Sequence, residues 1–437
     1  MVSMRNIFKS LVVAILTLQA RILLARMKPK VAMVTGSIGK TSTKDAVHTA
    51  LFNKVSVRKS EKSLNSEFGV PLTILGLKSA WESPWGWLYN IGLGSWRCLF
   101  TFSYPEWLVL EVGADHPGDL TALTRWVKPD MVVVTRFPSI APHVEYYKNM
   151  EALIEEESAP VYALKDGGIL VLNDDDEKVV GLRDKVRNAK VITYGTTSRA
   201  QIVGEGDDML YGATEGGVKP LGITFKVKAG NEEVPFTLHN VLGVQQMYPV
   251  LAGVAVGVAF DISLTKLAER FVTHKAPLGR MHIVEGLKET TIIDDSYNSS
   301  PTAAEYALLT LSRIKAKRHI AALGSMNELG GYSEGAHKEL GKLAATHADF
   351  LLTVGDKARG IAEGALAAGM SEDNIFQFED SREAGKFLEG KLQEGDVILV
   401  KGSQGGVRME KMVEEIMAHP EEREKLLVRQ EGEWQGR

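Results

Sequence analysis

Lys40 lies in the run Val31–Thr43, VAMVTGSIGKTST, where a cation, a row of hydroxyls and two glycines follow a short apolar stretch. That combination suits a polyanion. Val31–Val34 predicts a buried strand, and Gly36 and Gly39 let the backbone turn tightly and come close to a ligand. Lys40, Thr41 and Ser42 then open a helix, whose unpaired N–H groups and dipole favour an anion. On this reading Gly36, Ser37 and Gly39 cradle phosphates, Lys40 reaches the terminal phosphates of a nucleotide, and the Thr41 hydroxyl sits on Mg²⁺. The usual phosphate loop has four residues between its first glycine and Gly-Lys; here Ile38 and Ser37 are the only two. A plain strand-to-helix turn is the competing reading, and the strand in front and the hydroxyls behind favour the nucleotide.

Other polar residues fall at the ends of apolar runs. WLVLEVGADHPGDL (Trp107–Leu120) predicts a buried strand that delivers Glu111, with Asp115 and His116 just beyond it. A carboxylate at the C-terminal end of such a strand faces the ligand crevice of an α/β sheet, where Mg²⁺ takes oxygen ligands. MVVVTRFPSIAPHVEYY (Met131–Tyr147) is a second strand and loop, and it carries His143 and Glu145.

Positioning these groups needs a large α/β scaffold, and the bulk of the chain agrees. With 437 residues, 44% hydrophobic and 24% charged, two or three domains with substantial cores are expected. The formal charge of −4 leaves no basic footprint for nucleic acid. Cys98 is the sole cysteine, which excludes an internal disulfide and a cysteine metal cluster and suits the cytoplasm. Residues 5–27 form an apolar stretch broken by Lys9, Gln19 and Arg21. It reads either as an amphipathic helix packed on the protein or as one lying on the inner face of the cell membrane. Trp81, Trp85, Trp87 and Trp96 crowd the segment after Leu75, either filling a local core or meeting a sugar or a membrane interface. Residues 200–240 alternate around glycines and predict hairpins, and from Thr290 onward strands and alanine-rich helices alternate, which predicts a mostly parallel sheet. The expected division is a helix at 1–28, an ATP-binding domain at 29–276, a Rossmann-like α/β domain at 277–420, and a frayed polar tail at 421–437.

The short loop TGSIGKTST resembles the ATP loop of the Mur ligases, the amide-forming ligases of peptidoglycan synthesis and their folate and cyanophycin relatives, in which this spacing is normal. The resemblance runs from Lys28 to about Met417. It implies that Glu111 binds the Mg²⁺ bridging ATP and the acyl phosphate. The run APHVE is similar to the family's His-Leu-Glu segment, which makes His143 a ligand of a second Mg²⁺. The family's carbamylated lysine at that metal falls, without gaps, on Glu157 inside IEEESAP. A glutamate there supplies oxygens directly; a solvated acidic face is the plainer alternative, since Glu155 and Glu156 adjoin it. SLNSEFGVP resembles the segment leading to the acceptor site, with Asn65 and Gly69 at matching positions. VLNDDDE resembles a family turn. GVQQMYP places Gln245, Gln246 and Pro249 where the family has its adenine-side His, Asn and Asn, so adenine contacts transfer poorly. HKAPLGR resembles the interdomain linker, with Arg280 as the arginine that reaches the nucleotide phosphates.

IIDDSYNSSP, LGSMNELG and VKGSQGGVRME resemble the branch that adds D-alanyl-D-alanine to a UDP-muramoyl tripeptide. The resemblance puts Asp295 at the ribose and Asn298, His337 and Ser403 at the cleft; Ser325 departs from the branch's usual Asp. That branch carries a UDP-sugar domain ahead of the ATP loop, whereas a short stretch precedes the loop here, so the acceptor is left open. The implied activity is an ATP- and Mg²⁺-dependent, ADP-forming carboxylate–amine ligase acting on a sugar-peptide and an amino acid or dipeptide. Two alternatives stand beside it: the same chemistry on a lipid-linked envelope substrate, and a non-catalytic nucleotide-binding partner of a true ligase.

Overall fold

The computed structural model describes residues 4–61, 68–81, 83–214 and 217–434. Fifteen strands form two sheets among them. The first holds β1 (Lys30–Thr35), β2 (Val57–Lys59), β3 (Trp107–Glu111), β4 (Met131–Val134), β5 (Ile169–Asn173), β6 (Lys190–Gly195), β7 (Ile202–Thr214), β8 (Gly217–Ala229) and β9 (Glu232–His239). Its order is β2-β3-β1-β4-β5-β6-β7-β8-β9. Neighbours are parallel as far as β6–β7, and β7, β8 and β9 then run antiparallel as hairpins. The strand order reverses at β1, which has β3 on one side and β4 on the other. Such a reversal leaves a crevice beyond the C-terminal strand ends.

Alternation along β1 sorts its side chains between two cores, as the pleat requires. Ala32 and Val34 pack with Ala46, Val47 and Ala50 of helix α2 (Lys40–Leu51) and with the apolar helix Met247–Ala259. Val31 and Met33 face the other way, onto Val12, Leu16, Ala20 and Leu23 of helix α1 (Met4–Met27) and onto Val70, Leu72 and Ile74 of helix α3 (Gly69–Leu75). Thus α1 covers one face of the sheet. It is also long and apolar enough, by length and composition, to cross a membrane over Phe8–Met27. Helix α4 (Pro84–Phe100) lies against α1. The four tryptophans divide: Trp87 is buried and donates to the Trp81 carbonyl at 2.8 Å, whereas Trp85 and Trp96 are exposed.

The second sheet holds β10 (His282–Gly286), β11 (Thr290–Asp295), β12 (Arg318–Gly324), β13 (Phe350–Val354), β14 (Ile375–Phe378) and β15 (Asp396–Lys401), in the order β10-β11-β15-β12-β13-β14. Every neighbour pair is parallel except β10 with β11. Beyond it the polar composition of the tail misleads, because residues 421–434 are tied down. Leu427 and Arg429 are buried, Arg429 pairs with Glu410 at 3.0 Å, and Trp434 meets the Trp81 ring edge-on. These anchoring side chains outweigh many exposed charges.

Candidate active site

The end of β1 becomes a phosphate cradle because two glycines take positions closed to other residues. Gly36 has φ +114°, and a Cβ there would lie 2.3 Å from Thr135 Oγ1. Gly39, at φ +84°, precedes the first turn of α2. Lys40 turns back so that its Nζ donates to the Gly36 carbonyl at 2.6 Å. Thr41 Oγ1 donates to Glu111 Oε1 at 2.9 Å, and Lys44 Nζ stands 3.6 Å from the other oxygen of Glu111. Ser42 is buried one step further into the helix.

Glu157 ends the helix Met150–Glu157 and is 2% exposed. Its Oε2 accepts from Thr35 Oγ1 at 3.0 Å and from the Gly36 N–H at 3.3 Å, while Oε1 stands 3.6 Å from Lys40. The neighbouring Glu156 points elsewhere, taking the N–H and hydroxyl of Thr121. His143 sits at φ +69° on the loop after β4. Its Nδ1 lies 2.8 Å from Glu328 Oε2 and its Nε2 lies 3.7 Å from Asp115 Oδ1. Burial favours the neutral ring, but Glu328, followed by Asp115, outweighs it and raises the pKa of His143 above its ordinary value. Glu328 is held below the usual carboxylate range by the same contact. Neither Glu328 nor the Asp115 contact was drawn out of the sequence. The pair joins loops of the two sheets, and local spacing carries no signal for such a meeting.

These groups line one cavity of about 420 Å³. Ser37, Gly39, Lys40, Thr41, Glu111, His143 and Glu157 form one wall, and Arg280, Asn298 and Ser403 line the side toward the second sheet. The Arg280 guanidinium stacks on Tyr297, 4.4 Å from the ring centre. Ser37 Oγ, Glu111 Oε2 and Arg280 Nε, buried atoms of residues on the two sides of this cavity, have no hydrogen-bond partner. A donor, an acceptor and a guanidinium left open in one cleft fit a phosphate chain with its cation. Among the described residues no group of three or more His, Cys, Asp or Glu is gathered into a metal site. The donors therefore fit Mg²⁺ as it is usually held, by a carboxylate and a hydroxyl with substrate phosphates and water completing the shell.

Two expected site residues are placed differently, and a third is not described. Asn65 lies outside the described residues. Asp295 is held away from the cavity: Lys401 Nζ donates to Oδ2 at 2.6 Å and the Met281 N–H to Oδ1 at 3.2 Å. His337 is 1% exposed and its Nε2 accepts the Met326 N–H at 2.9 Å, so it shapes the loop before Glu328 and does not face the cleft. On the adenine side Gln246 donates to the Arg280 carbonyl at 2.9 Å, Thr310 donates to Gln245 at 3.4 Å, and Pro249 is buried in its helix.

Known families account for this arrangement. The family described as "Mur ligase middle domain" matches residues 88–257, and "Mur ligase, glutamate ligase domain" matches residues 279–404. The chain belongs to the Mur ligases. Its relatives include the UDP-N-acetylmuramoyl-tripeptide–D-alanyl-D-alanine ligase of Bacillus subtilis, 27% identical over 92% of this chain and 79% of that protein. The enzyme of the same name from Escherichia coli is 24% identical over 88% and 76%. Among solved structures, MurF ligase from Thermotoga maritima in complex with ADP superposes with a TM-score of 0.72 at 25% identity, covering 95% of this chain and 84% of that one. MurF from Acinetobacter baumannii gives 0.74 at 21% identity, covering 92% and 79%, and shows the shared fold. This Mur ligase is an ATP-using, ADP-forming ligase, and the cleft between its two sheets is the place where the loop of Lys40 meets Arg280.

Proposed function

We propose that this Mur ligase joins D-alanyl-D-alanine, or a similar amine, to the carboxylate of a cell-wall peptide precursor through an acyl phosphate. The observation that carries the proposal is the single cleft in which Lys40, Thr41 and Glu111 stand across from Arg280, Asn298 and Ser403. The γ-phosphoryl group of ATP passes to the acceptor carboxylate, the amine attacks the acyl carbon, and phosphate leaves as the amide forms. Lys40 moves from the Gly36 carbonyl to the transferring phosphoryl oxygens, and the N–H groups opening α2 hold the rest of the chain. Thr41 and Glu111 would hold one Mg²⁺, and His143 and Glu157 a second; bound there, the metal would supply positive charge against the phosphoryl oxygens. Arg280, fixed by Tyr297, meets the same oxygens from the linker. Asn298 and Ser403 orient the amine on the side of the second sheet. Most of the rate then comes from alignment and charge placement.

A coupled assay of ADP release, run with UDP-muramoyl tripeptide and D-alanyl-D-alanine, tests the reading. ADP formation that requires both partners supports it. Release with neither partner, or with a different amine only, overturns the substrate assignment. Lys40→Ala should abolish turnover in a protein whose melting temperature is unchanged; undiminished ADP formation in that variant would remove the ATP site from this loop.

A further inference from the structure

Eleven of the twenty large apolar side chains exposed among the described residues belong to α1, α4 and the two residues after α4. Leu11, Leu18 and Ile22 follow the outer side of α1, opposite its buried stripe of Val12, Leu16, Ala20 and Leu23. On α4, Trp87, Asn90, Gly94 and Cys98 face inward, while Trp85, Leu88, Tyr89, Trp96 and Leu99 face out. Trp85 is 80% exposed and Phe102 87%. A chain that buries its other apolar residues so well leaves this face uncovered for a reason.

The two helices present these residues together. Gln19 donates to the Ile91 carbonyl and to Ser95 Oγ, each at 2.9 Å, and Gly94 admits it, since a Cβ there would lie 2.3 Å from Gln19 Oε1. Arg26 donates to the carbonyls of Cys98 and Thr101 at 2.6 and 2.8 Å. Charge on the pair has one sign. Helix α1 carries Arg5, Lys9, Arg21 and Arg26, and α4 carries Arg97; neither has an acidic residue, in a chain with 55 acids against 51 Lys and Arg. Beside the end of α4 a cavity of about 370 Å³ has Arg58, Lys59 and Arg97 on its wall against one acid, Glu61.

We propose that α1 and α4 form a docking face for the surface of an anionic phospholipid bilayer. The outer leucines and aromatics enter the boundary between headgroups and acyl chains, and the arginines and lysines meet lipid phosphates. A second copy docking the same face would set basic groups against basic groups with no acid between them, which is repulsive. Nor does α1 cross the bilayer, because its inner stripe is the cover over Val31 and Met33 of β1.

Full-length protein is sedimented with vesicles of phosphatidylcholine alone or mixed with phosphatidylglycerol. Binding should rise at least tenfold with the anionic lipid and fall with added salt. Leu18→Glu combined with Trp96→Glu should release the protein while melting temperature and ADP formation stay unchanged, since both side chains point outward. Lys9→Glu with Arg21→Glu should remove the preference for anionic lipid. The proposal is overturned by vesicle binding that the Leu18/Trp96 variant retains, or by absence of binding to anionic vesicles. It is equally overturned by a lipid-independent dimer that this variant dissociates, or by protection of the N-terminus from protease added outside the vesicles.

Discussion

Glu157 meets two demands with one carboxylate. It ties the end of β1 in place through Thr35 and the Gly36 N–H, and it stands 3.6 Å from Lys40, the cation that a nucleotide must draw away. A carboxylate is charged near neutral pH without any added carbon dioxide, so metal binding here should be independent of bicarbonate. On the proposed reading, in which Glu157 is a metal ligand, Glu157→Ala is expected to lower turnover at least tenfold and to shift the Mg²⁺ dependence to higher concentration. Glu156→Ala, whose carboxylate serves Thr121, should change neither. A Mg²⁺ titration of both variants decides it, and wild-type behaviour of Glu157→Ala would leave the residue as a loop anchor alone. At Gly36 the constraint is steric. Gly36→Ala sets a methyl group against Thr135 on a backbone at φ +114°, so ADP affinity should collapse, which calorimetry would show.

Among the elements, the strands were legible where burial is continuous. Val31–Val34 and Met131–Val134 are apolar at every step because both faces of the parallel sheet are covered, and both are strands. The phosphate loop was legible for a related reason: Gly36 and Gly39 occupy conformations that few other residues accept. Asp295 shows where such reading stops. The family resemblance put it at the ribose, but Lys401 on the adjacent strand β15 takes the carboxylate, and β11 and β15 are neighbours only once the sheet forms. The pair is nearly sealed from solvent, with Lys401 2% and Asp295 7% exposed. Lys401→Met should therefore leave a buried charge unpaired and cost about 3–5 kcal/mol, read as a lower melting temperature. Asp295→Asn added to it should recover part of that loss. His274, edge-on to Phe271 and 2.8 Å from Thr49 Oγ1, gives a pH-dependent counterpart. Burial lowers its pKa to about 4, from 6.5. The folded state keeps the ring neutral, so its contribution is complete above pH 6.5 and is lost as pH falls from 6.5 toward 4. Melting temperature should drop across that window, and His274→Gln should make the drop shallower.

For the molecule as a whole, the question is what holds the two sheets around the substrate. His143 comes from the loop after β4 and Glu328 from the loop after β12, and they meet 2.8 Å apart at the mouth of the cleft. Gly330 closes on the same place, since a Cβ there would lie 3.1 Å from Glu145 Cβ. Arg280, stacked on Tyr297, carries the chain from one sheet to the other. Glu328 therefore reads as a latch: through His143 it holds the second domain against the first. Charge contacts that are partly open to water contribute modestly, which suits a joint that must open to release ADP. Glu328→Gln keeps the shape and removes the charge. We predict a several-fold rise in KM for ATP with a smaller change in kcat, together with a larger radius of gyration in small-angle X-ray scattering of the nucleotide-free protein. The melting temperature should stay put, because the contact lies at the rim of the cleft and outside both cores. If scattering is unchanged and kcat falls instead with KM constant, Glu328 acts on the chemistry through His143, and the latch is elsewhere along the contact between Val144–Tyr146 and Gly330–Tyr332.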